Sequence, residues 1–317
     1  MTAFDDSSIP PPDREALPQG PADTGLAAPQ PSTGPEHPLA GDPISLAAVA
    51  PASAPSYNAS LPEDLRITWS WLHLTAFLAF VVISFFVVQI GFMVYYAAPL
   101  RHLSTEKDFE RFALSKPVFA VGSMVLLYAL ALLFLYVSLS VLPGSPFWRT
   151  LGWRKITKPN GGRPRSPWLF FFAGCGLSVL VFIVTAKMQP PEDVPIEELF
   201  RYKNTAILFM AMAVLVAPLV EETIFRGYLY PLFAKYFGVG TGVLVTGVLF
   251  GLMHGAQLGW TWSLVSVLIT VGVIFTFVRA RTGSVFSSFL LHLGYNSTIA
   301  VVSILGILGF PQMPPTH

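Results

Sequence analysis

Residues 204–235 read NTAILFMAMAVLVAPLVEETIFRGYLYPLFAK. The run exceeds the roughly 20 apolar residues that a bilayer-spanning helix needs. Yet it carries two adjacent carboxylates, Glu221 and Glu222, and a guanidinium, Arg226. Between Lys203 and Arg279 the only other charged residue is Lys235. An ionisable side chain at the middle of a membrane helix costs about 2.5 kcal/mol or more, so it marks a function and a partner by default.

The rest of the chain has the same apolar character. Its 317 residues are 53% hydrophobic and 12% charged, with a mean hydropathy of +0.60. That is too few charges for a soluble surface and too much apolar side chain for one packed core. Further apolar runs lie at 72–98, 117–142, 167–188, 239–256, 260–278 and 285–309. With 204–235 they predict an all-α, polytopic transmembrane helix bundle of about seven spans, in the range six to eight. Cys175 is the single cysteine, which excludes an internal disulfide, a CxxC pair and a cysteine-rich metal site. The net charge of +1 gives no basic surface for nucleic acid; the partners expected are the lipid bilayer and a peptide or protein within it.

The first 65 residues hold 13 of the 28 prolines, spaced by Ala, Gly and Ser, and predict a disordered tail that cannot bury a core. Its start, MTAFDDSSIPPPDREALP, has neither the basic segment nor the apolar core of a secretory signal, so the tail is expected to stay with the first helix. Asn58-Ala59-Ser60 matches a glycosylation triplet, a pattern common by chance. The loop at 148–165 holds six Lys or Arg and no acid, whereas 190–203 holds four acids, so the positive-inside rule puts the first in the cytoplasm and the second outside. Alternation then places the N-terminus, the turn after Phe237 and the Arg279–Arg281 end on the cytoplasmic side. The expected organisation is a cytoplasmic tail at 1–65, two transmembrane helices within 66–147 and a larger membrane domain at 148–317.

Glu221 and His254 lie at about equal chain distances from the Gly238-Val239-Gly240 turn, so an antiparallel hairpin brings them to one depth, roughly 22 Å from it at 1.5 Å per residue. His292 falls within one or two turns of that layer. Glu222 and Arg226 are four apart with the acid first, the favourable order for a same-face pair. Glu221 points about 100° away around the axis and is therefore the carboxylate free to act as a general base. His292 and Asn296 share a face one turn apart, two donors able to hold a developing oxyanion. Phe250 shares a face with His254, and Gly247, Gly251 and Gly255 form a small-residue stripe for close helix packing. No inverted repeat accompanies these groups, as a proton-coupled transporter would require.

The pattern Glu221-Glu222-xxx-Arg226, Phe250-xxx-His254 and His292-xxx-Asn296, in that order on successive membrane segments, resembles the motifs of the type II CAAX prenyl endopeptidase and bacteriocin-processing group, the CPBP or ABI intramembrane proteases. LGWRK at 151–155 and GSVFSSFLLHLGYN at 283–296 resemble elements that accompany those motifs, so the likeness covers about 148–305. It implies hydrolysis of peptide bonds of membrane-associated or C-terminally lipid-modified peptides in a membrane cavity open to the cytoplasm, with Glu221 and His254 activating water, His292 and Asn296 holding the oxyanion, and Glu222, Arg226 and Phe250 in support. Two chemistries stay open. A metal-free glutamate mechanism suits Asn296, and no HExxH or other zinc spacing occurs; a zinc enzyme of the metalloprotease type would use Glu221, His254 and His292. A relative that binds or scaffolds without cutting, as in membrane immunity, is the alternative. The tail composition resembles that of high-GC bacteria, which sets the expected location as a bacterial inner membrane with the N-terminus and the active-site opening in the cytoplasm.

Overall fold

A computed structural model describes residues 62–102, 105–156, 166–188 and 195–309. The tail up to Leu61, the Asn58 triplet, most of the basic loop after Ile156 and most of the acidic loop before Pro195 lie outside the described residues. Among the described residues the secondary structure is helical throughout, with no strand.

Seven helices build the bundle: α1 (Trp71–Tyr95), α2 (Pro117–Tyr136, continued by a wider π turn at Val137–Val141), α3 (Pro167–Thr185), α4 (Lys203–Phe237, in four pieces), α5 (Val239–Met253), α6 (Trp262–Thr282) and α7 (Val285–Gly309). Six of them are long and apolar enough to cross a membrane, α5 being the exception at 15 residues. The run at 239–256 thus contains a shorter helix than its hydropathy predicts. α5 ends at His254 because Gly255 and the 3₁₀ turn Ala256–Leu258 take over the backbone hydrogen bonds. Outward faces carry apolar side chains such as Leu72, Val94, Trp168 and Leu215, as a lipid-facing surface requires.

Local sequence sets the breaks in α4. Pro218 supplies no N–H, and the α-helix stops at Leu215 and restarts at Ala217. Pro231 removes a second donor, and between the prolines Glu222–Leu229 winds as a π-helix. Gly238, at φ 85°, then makes the turn into α5 in a conformation that side chains resist.

Glycines set the closest contacts between helices. A Cβ on Gly174 of α3 would lie 1.9 Å from the Leu291 carbonyl oxygen of α7, and one on Gly294 would lie 2.0 Å from that of Phe171. On α5, a Cβ on Gly247 would meet the Val273 nitrogen of α6 at 2.6 Å, and one on Gly251 the Ile269 nitrogen at 2.5 Å. Gly255 instead makes room for the ring of Trp260 in the loop that follows. The stripe therefore holds α6 against α5 over two turns only.

Two of the expected boundaries fall where described residues pack together. Pro62–Leu65, assigned to the tail, are ordered: Glu63–Leu65 form a 3₁₀ turn, Leu65 is buried, and Asp64 Oδ2 accepts from Arg279 Nη1 at 3.0 Å. Two acids and an isoleucine-tryptophan pair outweigh the proline content at that point, because Ile67 and Trp69 are buried and Trp69 Nε1 donates to the Tyr228 carbonyl at 3.2 Å. The second is the break expected between 147 and 148. Across it, among the described residues, α1 and α2 pack their buried side chains onto α4.

Candidate active site

Arg226 and Glu222 are fully buried and joined at 2.8 Å between Nη1 and Oε1. The guanidinium donates further from Nε to Thr276 Oγ1 at 3.2 Å and from Nη2 to the Gly272 carbonyl at 2.9 Å, so each of its nitrogens has an acceptor. Phe250 places its ring centroid 4.5 Å from the charge, a contact worth about 2 kcal/mol when desolvated. The pairing of Glu222 with Arg226 expected from their spacing is present, and it extends further. Glu222 Oε1 also accepts from His292 Nδ1 at 3.1 Å. One carboxylate therefore fixes both a guanidinium and an imidazole.

That contact assigns the tautomer of His292. An ionised carboxylate only accepts, so the proton sits on Nδ1 and the Nε2 lone pair points away from Glu222. Nε2 lies 3.9 Å from Glu221 Oε2. The same logic applies to His254, whose Nδ1 is 2.8 Å from the Phe250 carbonyl, also a pure acceptor, leaving its Nε2 free. Both rings touch Phe250, at 4.8 Å for His254 and 5.7 Å for His292 between centroids.

Glu221 is 6% exposed and makes no ion pair with Arg226. Its Oε1 accepts from Tyr128 Oη at 2.9 Å, which turns Oε2 towards His292. Tyr128 comes from α2, a helix to which the motifs assign no part; its signal was a lone hydroxyl in the apolar run VLLYALAL. Thr276 and Gly272 on α6 were equally unmarked. Asn296 Nδ2 donates to the Ala213 carbonyl at 2.8 Å, beside the break before Pro218, and retains a second amide hydrogen and its oxygen.

Glu221, Phe250, His254, His292 and Asn296 all border one cavity of about 270 Å³. The structure brings the expected site residues around it but pairs them differently. No hydrogen bond or ion pair joins Glu221 to His254; the imidazole nearest Glu221 is His292. His292 as a donor to an oxyanion needs a proton on Nε2 in addition to the one on Nδ1. Among the described residues no group of three His, Cys, Asp or Glu is placed to hold a metal ion.

From this floor the cavity extends past Met212 and Leu268 to Phe200, Gln257 and Ser303. Those residues lie in the short helix Pro195–Phe200 ahead of α4, in the loop after α5 and towards the end of α7. Trp69, Gly152, Gly238 and the α6–α7 turn occupy the other end of the bundle. The lining residues furthest from the carboxylates therefore lie at the end of the bundle opposite the N-terminal segment. The reason is topological: α1 starts at the end where α4 finishes, and the carboxylates face the half of α4 that precedes them.

Helices long and apolar enough to span a membrane thus bring carboxylate, imidazole and amide groups together around one internal cavity, an arrangement able to do acid-base chemistry. Residues 203–298 match the family model described as Type II CAAX prenyl endopeptidase Rce1-like, the group that the three motifs resemble. The match runs from the start of α4 into α7 and contains every motif residue, while Tyr128 lies outside it. No curated protein and no solved structure matches the chain.

Proposed function

We propose that the protein is an intramembrane endopeptidase that hydrolyses peptide bonds of membrane-associated polypeptides by a metal-free glutamate mechanism. One observation carries the reading: Glu221, held by Tyr128 through one oxygen, turns the other towards His292 Nε2 at the floor of a cavity that His254 and Asn296 share. In the proposed reaction a water bound between Glu221 Oε2 and an imidazole Nε2 gives its proton to the carboxylate and attacks the scissile carbonyl. The free amide hydrogen of Asn296 donates to the oxyanion, joined by an imidazole once its Nε2 is protonated. The proton then passes to the departing amine, which breaks the C–N bond and restores the site. Glu222 and Arg226 keep His292 in place, and Phe250 seals their charges from the cavity. The expected setting is a bacterial inner membrane with the N-terminus in the cytoplasm.

The test uses purified full-length protein in detergent with quenched-fluorescent apolar peptides. Glu221→Gln is expected to leave a folded protein whose turnover falls about 10² to 10⁴-fold. Unchanged turnover overturns the mechanism, and a wild-type protein that binds these peptides without cutting them makes it a binding relative instead.

A further inference from the structure

The end of the bundle that carries the N-terminal segment holds ten Lys and Arg against two acids, counted over 62–70, 142–166, 235–238 and 279–284. The opposite end, 96–116, 186–203 and 254–261, holds seven of each. Six of the ten basic residues fall in the single short loop 148–165, the class of loop that governs orientation. The structure fixes both borders of that loop at the N-terminal end: Val285 N donates to the Gly152 carbonyl at 2.9 Å, and α3 starts at Pro167. The basic end belongs in the cytoplasm, and the cavity mouth at Gln257 and Ser303 is at the other one. We infer that the site opens to the extracytoplasmic face and takes an unfolded apolar stretch of a polypeptide anchored in that leaflet.

The cavity supports the chemical class. Met124, Phe209, Met212, Leu268, Val271 and Ile299 make its walls apolar, and polar groups are confined to the floor and to Gln257 and Ser303 at the rim. At about 270 Å³ it is smaller than the roughly 300–1,000 Å³ of pockets for compact ligands, so it receives extended chain and not a folded domain. A substrate tethered in the cytoplasmic leaflet meets Trp69, Leu151 and Leu232, which are closed against one another.

The substrate assignment rests on the proposed hydrolysis; the side of opening does not. Two measurements separate them. In a Cys175→Ser background, whose hydroxyl can still donate to the Gly294 carbonyl that the thiol now contacts, Gln257→Cys and Lys155→Cys are each expressed in cells and treated with a membrane-impermeant maleimide. Both positions are exposed. Gln257→Cys is expected to label on intact spheroplasts and Lys155→Cys only after permeabilisation; the reverse pattern overturns the inference. In the second, two single-span reporter proteins carry the same apolar segment on either side of the membrane. Only the extracytoplasmic one is expected to be cut, with the cut lost in Glu221→Gln. Cutting of the cytoplasmic reporter alone overturns the inference, whereas cutting of neither, with labelling as expected, overturns the hydrolysis and its substrate while the side of opening stands.

Discussion

Adjacent glutamates in one helix divide their work through their partners. Glu222 bonds Arg226 and His292 with the same oxygen, so its replacement does more than leave a buried cation. Glu222→Gln is expected to lower stability in detergent by about 3 kcal/mol, at the lower edge for a broken buried pair because Thr276 and Gly272 still accept from Arg226. It is also expected to lower turnover by loosening His292, an effect that spacing alone did not predict. Combining it with Arg226→Leu should recover stability and leave turnover low; a double variant no more stable than the single one would refute the pairing. Tyr128→Phe removes one hydrogen bond to Glu221 and nothing else in the cavity. Since a bond to a charged group is worth about 1.5–3 kcal/mol, kcat is expected to fall roughly tenfold or more with KM unchanged. A change confined to KM would mean that Tyr128 touches substrate instead. The motif residues were legible because ionisable groups in apolar helices stand out, but the His254 pairing with Glu221 was not: hairpin depth gives height along the axis and says nothing of which ring turns towards which carboxylate.

At the level of helices, α4 shows how prolines shape a site. Pro218 and Pro231 bracket the motif, and the π turn between them widens the helix where Glu222, Phe225 and Arg226 must face three neighbours. Hydropathy reads 204–235 as one span and is right about its ends, yet it cannot register a change of helical winding. The glycine contacts were partly legible. The stripe on α5 is regular in sequence, whereas Gly174 and Gly294 belong to no such stripe, and a Cβ on either would come nearer a facing backbone atom than at any other described glycine. Gly294→Ala places a methyl group against the Phe171 carbonyl and is expected to cost about 1–3 kcal/mol by overpacking. Gly176→Ala, two residues on from Gly174 but with open space around it, should be neutral or stabilising by up to about 1 kcal/mol. Thermal melts of both variants in one detergent check this; equal losses would show that glycine is tolerated there for reasons other than contact.

For the whole molecule, the decisive piece is the short segment ahead of α1. Composition separates a proline-rich tail from the membrane part, but it averages over windows and cannot mark which residues ahead of α1 pack on the bundle. Asp64 is the counter-charge of Arg279, whose side chain is fully buried and whose Nε and Nη2 have no hydrogen-bond partner among the described residues. Gly152, at φ 80°, lies so close that a Cβ there would be 2.8 Å from Nη2, which shuts the guanidinium in. Trp69 is 1% exposed and stacks on Tyr228, two residues from Arg226 on the helix that carries the site. A chain starting at Pro62 is therefore expected to insert, melt and turn over as the full chain does, because the residues removed cannot bury a core. A chain starting at Trp71 loses the Arg279 counter-charge and the Trp69 contact together, and breaking a buried pair alone costs about 3–5 kcal/mol. Asp64→Asn isolates the electrostatic part. It should destabilise the full chain, and Asp64→Asn with Arg279→Met should restore much of the loss, since no buried charge is then left without a partner. Should the chain starting at Trp71 melt with the wild type, the segment merely lies on the bundle; should Asp64→Asn alone be neutral, water reaches Arg279 and its burial is incomplete in the membrane.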